Sequence, residues 1–161
     1  MNQLFKNPLF EFVENGSIES FSGTNRWLSN FWPCDVYLDD LKFRSVEAAY
    51  VAAKTTDIDV RRYVQSLDSS GKCKAFGKTM PLRSDWKEIR LSIMENLLRQ
   101  KFSQGTELAE KLLETYPKEL IEGNVWNDTF WGVCNNTGKN NLGKLLMKIR
   151  RELRVKNKQT N

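Results

Sequence analysis

Apolar residues recur at helical spacing along several stretches of the chain, most clearly over residues 85–102. One face of this predicted helix carries Trp86, Ile89, Ile93, Met94, Leu97, Leu98 and Phe102. Asp85 and Glu88 form a capping-box pattern at its start. The same spacing predicts helices over residues 57–67 and 107–114. It also predicts a last helix whose core side carries Leu142, Leu145, Leu146, Ile149 and Leu153.

A further helix is predicted from Val46 to about Lys54, because Ser45 offers an N-cap side chain directly before it. Short strands are predicted within residues 9–21, around Asn15-Gly16, and in a hairpin formed by residues 36–38 and 41–43. Residues 69–83 and 123–141 are predicted to be loops. The pattern indicates a predominantly helical α+β fold, with one domain over residues 1–152 and a basic, flexible tail over 153–161.

The composition removes several classes of chemistry. The 161 residues include no histidine, so the chain has neither the commonest general base nor the usual zinc ligand. The cysteines Cys34, Cys73 and Cys134 have no metal-binding spacing and are expected to be reduced thiols in the cytoplasm. No apolar run has the length of a membrane span, and no signal peptide begins the chain. We therefore expect neither a metal nor another cofactor.

The net charge of +5 is concentrated at one end of the chain. Residues 139–161 hold eight Lys or Arg against the single acid Glu152, which gives +7 and leaves −2 for residues 1–138. A nucleic-acid-binding protein that uses the basic segment on phosphates is thus disfavoured by the acidic remainder. A solvated C-terminus accounts for the basic segment as well.

Glu47 and Lys54 are the first candidates for chemistry. They lie seven positions apart, about 20° from one another around a helix, with Tyr50 between them. The alanines around them permit close approach of a ligand, and equally of another backbone. Glu47 alone is also typical of a first-turn acid that stabilises its helix through the dipole.

Residues 138–144 are the second candidate. The spacing Gly138…Gly143-Lys144 matches part of a P-loop, but Leu145 stands where Ser or Thr must hold magnesium, so a P-loop is not expected. The backbone amides of residues 138–140 and the Lys139 side chain instead predict a phosphate site at a helix N-terminus. A capped helix with solvated lysines is equally consistent.

Residues 127–132 join a carboxylate, an aromatic ring and a glycine. Asp128 is a candidate to bind ribose hydroxyls, and an Asx-type turn at Asn127-Asp128 explains it equally well. The chain holds five tryptophans, most of which are expected to pack in the core or at its rim. Three of them border the candidate segments, where an aromatic slot for a flat base needs such residues.

Together these segments resemble the NADAR family, also called YbiA-like. The resemblance extends from about Phe21 to Arg151, with the motifs in family order. It is carried by Leu28-Ser29-Asn30-Phe31, Ser45-Val46-Glu47-x-x-Tyr50-x-x-x-Lys54, Trp86, Lys101-Phe102, Asp128-x-x-Trp131-Gly132 and Gly138-Lys139-Asn140-x-Leu142-Gly143-x-x-Leu146-Met147-x-x-Arg150. At two positions the chain differs from the family pattern: it has Ala48 where the family usually has His, and Val51 where Gln is frequent.

The resemblance implies a YbiA-like fold and an N-glycosidase that acts on N-ribosides of an exocyclic base amine. Substrates associated with the family are ribosylamino-pyrimidine intermediates of riboflavin synthesis and ADP-ribose on guanine in DNA. We expect Glu47 and Lys54 to be catalytic. The residues expected to bind substrate are Asn30, Tyr50, Trp86, Asp128, Trp131, Gly132, Lys139 and Asn140.

The expected chemistry has two versions. A glycosylamine opens to an imine, into which the amine of Lys54 exchanges while Glu47 moves protons. Alternatively, Glu47 activates water for direct attack on the sugar, without a covalent step. A different class of function is a module that binds ADP-ribose or a nucleotide without turnover. Ala48 favours this alternative, whereas the presence of Glu47 and Lys54 argues against it.

Overall fold

The computed structural model describes residues 16–160. The helices are α1 (Val46–Ala52), α2 (Ile58–Ser66), α3 (Ser70–Gly77), α4 (Trp86–Lys101), α5 (Glu107–Glu114) and α6 (Asn141–Thr160), and a 3-10 helix covers Gly23–Leu28. The strands are β1 (Ser17–Ile18), β2 (Val36–Leu38), β3 (Leu41–Phe43) and β4 (Glu119–Leu120). The prediction of a predominantly helical α+β fold is confirmed.

The described residues divide into two compact units, one formed by residues 28–103 and the other by residues 16–27 with 104–160. In the first, α1 packs against α2, α3, α4 and the β2–β3 hairpin. Every residue of α1 except Glu47 is buried. Because four residues of the 48–53 stretch are alanine, the neighbouring helices approach α1 closely on several sides.

Most local predictions in this unit are confirmed. Strands β2 and β3 pair antiparallel with Val36 opposite Phe43, and α2 begins after Asp57, whose side chain accepts from the amides of Asp59 and Val60. Helix α4 covers the predicted segment, but its capping box is absent. The carboxylate of Asp85 makes no cap hydrogen bond and instead binds the Arg83 guanidinium at 2.6 Å.

The prediction of a loop over residues 69–83 is wrong for its first half, which forms helix α3. Ser69 caps this helix by accepting a hydrogen bond from the Lys72 amide. Gly71 and Gly77, near the two ends of this helix, are typical of loops, so the sequence pattern did not predict it. Gly77 is required by packing rather than by a turn, because an added Cβ there would lie 2.9 Å from a methyl of Val51 on α1.

In the second unit, α6 packs against α5 and β4. The short strands predicted over residues 9–21 lie partly outside the described residues. Within the described part of this segment, β1 pairs in parallel with β4, and Ser17 lies opposite Glu119. Helix α6 continues to Thr160, through most of the segment predicted as a flexible tail, and the flexibility of that segment stays a prediction.

We expect Gly143→Ala to destabilise the protein by about 3 kcal/mol. An added Cβ at Gly143 in α6 would lie 2.0 Å from the carbonyl oxygen of Leu120. Gly71→Ala in α3 is the matched control, since no atom lies within 4 Å of its added Cβ, and it should stay within about 1 kcal/mol of wild type. Urea unfolding measures both; equal stabilities of the two variants would contradict the close packing at Gly143.

Along residues 16–160, no helix combines the length and apolar character needed to cross a bilayer. The same part of the chain contains no group of three or more metal-ligating side chains placed to hold an ion.

Candidate active site

Glu47 is held in the first turn of α1 by local and distant contacts. The Ser45 hydroxyl caps the helix by accepting from the Ala48 amide at 3.1 Å. The Glu47 amide donates to the carbonyl oxygen of Asn30 at 3.0 Å, which ties the start of α1 to a segment far away in sequence. The Glu47 side chain is half-buried. The first-turn position predicted for Glu47 is therefore confirmed.

Lys54 lies just beyond the end of α1, which stops at Ala52 rather than at about Lys54. Its ammonium nitrogen Nζ lies 5.7 Å from the centroid of the Tyr50 ring and donates to the carbonyl oxygen of Gly77 at 3.4 Å. The lysine is half-buried. The amine is therefore held over an aromatic face and against the end of α3.

The surroundings of Lys54 shift its pKa away from the ordinary value. Burial lowers the pKa of Lys54 below its ordinary value, the negative charge of Glu47 opposes this shift, and the positive charge of Lys74 adds to it. The coupling places Glu47 within electrostatic reach of Lys54, as the helical spacing predicted. A desolvated lysine beside a carboxylate has the two features that amine nucleophiles need, a depressed pKa and a nearby proton acceptor.

Lys74 is a member of this site that the sequence did not reveal. Its Nζ lies 5.6 Å from the ring centroid of Phe31, and its charge acts on Lys54. The signal that would have found it is Ser69 as an N-cap, which starts α3 and brings Lys74 onto a helix beside α1.

Tyr50 and Trp86 form an aromatic pair beneath Lys54. Their ring centroids are 5.0 Å apart and their planes are inclined by 55°. Tyr50 is 7% exposed and Trp86 is 5% exposed, so Trp86 packs against Tyr50 as part of the core. The substrate contacts predicted for the two residues stay predictions, and the direct structural role of Trp86 is to support Tyr50.

Asn30 lies in a turn that connects to α1 and α4. Its backbone carbonyl binds the Glu47 amide, and its side-chain amide nitrogen contacts the sulfur of Met94 on α4 at 3.6 Å. Its buried side-chain oxygen Oδ1 has no hydrogen-bond partner in the described part of the chain. An unpaired buried acceptor costs about 1–3 kcal/mol, so stability alone does not explain an asparagine at this position.

The remaining predicted residues lie in the second unit, where Asp128 forms the Asx-type turn. Its Oδ1 accepts from the amides of Phe130 at 3.1 Å and Trp131 at 2.9 Å. The Asn124 side chain brackets the Asp128 backbone, accepting from its N–H at 3.0 Å and donating to its carbonyl at 2.8 Å. The structural interpretation of Asp128 thus holds, and its ribose contact stays a prediction. Trp131 is half-buried, with its ring 4.9 Å from that of Phe130.

The start of α6 differs from the predicted phosphate site. The amides of residues 139–142 donate to the carbonyl oxygens of residues 129–132, at 2.9–3.4 Å. The amides of Lys139 and Asn140 thus already have protein acceptors. The phosphate contact predicted for the amides of residues 138–140 stays a prediction. The Lys139 side chain is exposed, 5.7 Å from the Phe130 ring centroid, and its own phosphate contact stays a prediction.

Asn140 and Gly132 have structural tasks in the same unit. The Asn140 side chain accepts from the Glu122 amide at 3.0 Å and donates to the Leu120 carbonyl at 2.9 Å. At Gly132 an added Cβ would lie 2.1 Å from the carbonyl oxygen of Glu122. Both residues therefore hold the later part of the 120–140 segment against the backbone of residues 120–122. The substrate contacts predicted for them stay predictions.

The family model described as the NADAR domain matches residues 18–154, which includes every candidate residue in both units. The chain belongs to the NADAR family. The N-glycosidase YbiA of Shigella boydii (serotype 4, strain Sb227) is 34% identical over 130 residues, covering 79% of this chain and 81% of that protein. An N-glycosidase of Nostoc punctiforme is 33% identical over 132 residues, covering 78% of this chain and 84% of that protein.

Two further comparisons extend this result to a longer protein and to a solved structure. A riboflavin biosynthesis protein of Vibrio vulnificus (strain YJ016) is 34% identical over 130 residues, but this NADAR chain spans only 35% of that protein's length. The NMR structure of the E. coli protein YbiA superposes with a TM-score of 0.77 at 31% identity, covering 88% of this chain and 86% of that one.

The two departures from the NADAR pattern both lie in the core. Ala48 and Val51 are each 1% exposed, and the methyls of Val51 face Gly77. A His or Gln at these positions would place a buried polar group near Glu47 and Lys54, and that group would need a hydrogen-bond partner. In this chain, apolar side chains that pack in the core occupy both positions.

Proposed function

We propose that this chain hydrolyses the bond between ribose and an exocyclic base amine, with Lys54 as nucleophile and Glu47 as proton carrier. As a member of the NADAR family it is a hydrolase acting on N-glycosyl bonds. The proposal adds the substrate class and the mechanism. The observation that carries it is the half-buried Lys54 amine, whose pKa burial lowers, held above Tyr50 within reach of the Glu47 charge.

The proposed reaction begins with ring opening of the N-riboside. The bond from the sugar carbon C1 to the ring oxygen breaks as the exocyclic nitrogen lone pair forms a C1–N double bond, and Glu47 carries the proton of that nitrogen to the ring oxygen. The neutral Lys54 amine then adds to C1, and Glu47 transfers the two protons of the Lys54 nitrogen, one after the other, to the base nitrogen. The C1–N bond to the base breaks, so the base leaves as a free amine and an imine joins C1 to Lys54.

Water completes the proposed cycle. It adds to C1 of the imine while Glu47 carries the two protons of the water, one after the other, to the Lys54 nitrogen, and the bond from C1 to Lys54 breaks to release an aldehyde that closes to ribose. The net reaction consumes one water and forms one base amine and one free sugar. The rival version, in which Glu47 directs water onto an oxocarbenium-like C1, has the same net reaction but forms no bond to Lys54.

Two substrate classes fit this chemistry: ADP-ribosyl-guanine in DNA, and ribosylamino-pyrimidine phosphates. The second is supported by the name of the Vibrio vulnificus relative, a riboflavin biosynthesis protein. The cytoplasmic location predicted from the cysteine pattern stays part of the proposal.

Incubation with each substrate tests the proposal. We expect sugar and free base amine in equal amounts from an ADP-ribosylated guanine oligonucleotide, from ribosylamino-pyrimidine phosphate, or from both. An N-riboside whose nitrogen belongs to the aromatic ring is the control and should remain intact, because it cannot open to an imine. Cleavage of that control at a similar rate would contradict the substrate class.

The second candidate function is a module that binds ADP-ribose or a nucleotide without turnover. Core packing at Ala48, where the family usually has a polar residue, favours it. Calorimetric binding of these ligands with no sugar release from either substrate would establish the module and exclude the proposed hydrolysis.

A further inference from the structure

Lys101 is a buried cation at the end of α4, and none of the residues from 16 to 160 pairs it with a carboxylate. It is 3% exposed, its Nζ donates to the carbonyl oxygen of Ser29 at 2.7 Å, and it lies 5.0 Å from the Phe102 ring centroid. Across residues 16–160, the only titratable group that acts on it appreciably is the Cys34 thiol. An unpaired buried charge costs several kcal/mol, so packing alone would favour an apolar residue at this position.

The Ser29 carbonyl that Lys101 binds belongs to the turn that positions Glu47. The same oxygen accepts from the Trp32 amide at 3.1 Å, which closes a turn over residues 29–32. Asn30 lies inside this turn, and its carbonyl accepts from the Glu47 amide at 3.0 Å. Three consecutive contacts thus run from the Lys101 ammonium through the turn to the start of α1.

We propose that Lys101 is a positioning residue for the glycosidase reaction, whose ammonium group holds the turn over residues 29–32 and thereby sets the place of Asn30 and Glu47. This inference rests on the catalytic role proposed for Glu47.

The protonation of Lys101 is compatible with this role. Burial lowers the pKa of Lys101 to about 8, and the neighbouring Cys34 thiol opposes the shift. Glu47 and Tyr50 on α1 and Tyr37 on β2 are the titratable groups of the elements packed against α4, and none of them shifts this pKa appreciably. The side chain therefore carries its charge at neutral pH and makes a charge-assisted hydrogen bond to Ser29.

Three replacements of Lys101 separate positioning from packing. Lys101→Arg keeps the charge and the donors, Lys101→Gln keeps a neutral donor, and Lys101→Met keeps an apolar chain of similar length. We expect kcat per folded molecule to fall in the order Arg, Gln, Met, reaching roughly 100-fold below wild type for Met, with a smaller change in KM. Lys87→Met, which removes an exposed lysine from the same helix, should leave kcat unchanged.

The backbone amide of Glu47 gives a readout that needs no substrate. Its proton resonance should move upfield in Lys101→Met, as the hydrogen bond to Asn30 weakens, and stay in place in Lys87→Met. If the wild-type protein cleaves neither substrate while this resonance still moves, the proposed function fails, and only the structural link between Lys101 and the Glu47 amide stands.

Three outcomes would overturn the proposal. One is a Lys101→Met variant with wild-type kcat and an unmoved Glu47 amide. Another is equal kcat per folded molecule in all three variants, since a packing role changes only the folded fraction. The third is failure of all three to fold, which would assign Lys101 to the core.

Discussion

Lys54→Arg is expected to abolish turnover, by on the order of a thousandfold or more, and to abolish covalent capture of the sugar. Arginine keeps the positive charge above Tyr50, but its guanidinium stays protonated and forms no imine. In the wild-type protein, borohydride added during turnover should reduce the imine to a stable amine. The protein then gains the mass of the sugar, and peptide mapping should locate it on Lys54.

Lys78→Arg is the matched control, because Lys78 is exposed directly after Gly77 at the end of α3. It should retain both turnover and capture. Capture on Lys74 or Lys139 would keep the imine chemistry and move the nucleophile. An active Lys54→Arg enzyme would exclude Lys54 as nucleophile, and brisk wild-type turnover without any adduct would favour direct attack by water.

Glu47→Gln is expected to lower kcat by about 10²–10⁴-fold while the fold remains intact. The substitution keeps the shape of the side chain and leaves the hydrogen bond from the residue 47 amide to Asn30 in place. Loss of a first-turn charge costs only about 0.3–1 kcal/mol. Activity and melting temperature are measured together. Glu88→Gln, which removes an exposed first-turn acid from α4, is the control for the helix effect.

The same variant separates proton transfer from simple activation of Lys54. The charge of Glu47 raises the pKa of Lys54 against the lowering by burial. Its removal should therefore lower that pKa further and leave more neutral amine at a given pH. If Glu47 only tuned Lys54, the Gln variant would be more active at neutral pH. A variant that is inactive despite a lowered Lys54 pKa supports proton transfer, and a near wild-type rate would refute the catalytic assignment.

Local features of the fold were predictable because they depend on residues within a few positions of one another. Ser45 caps α1 as predicted, a helix forms within the predicted range 57–67, and the apolar face over residues 85–102 forms α4. The resemblance to the NADAR family also came from the order of short motifs. Glu47 and Lys54 are seven positions apart, which is about two helical turns. This spacing alone predicted that the two charges interact.

Other features were decided by the tertiary structure. The amides at the start of α6 are free in an isolated helix, and only the folded 129–132 segment supplies their acceptors. Lys74 joins Lys54 because α3 packs against α1, and Gly77 permits that approach. Lys101 looks like an ordinary last-turn lysine in the sequence. It is buried because the turn at Ser29, more than seventy positions earlier, folds over it. Burial and desolvation arise from residues far apart along the chain, so packing sets the electrostatic surroundings of Lys54 and Lys101.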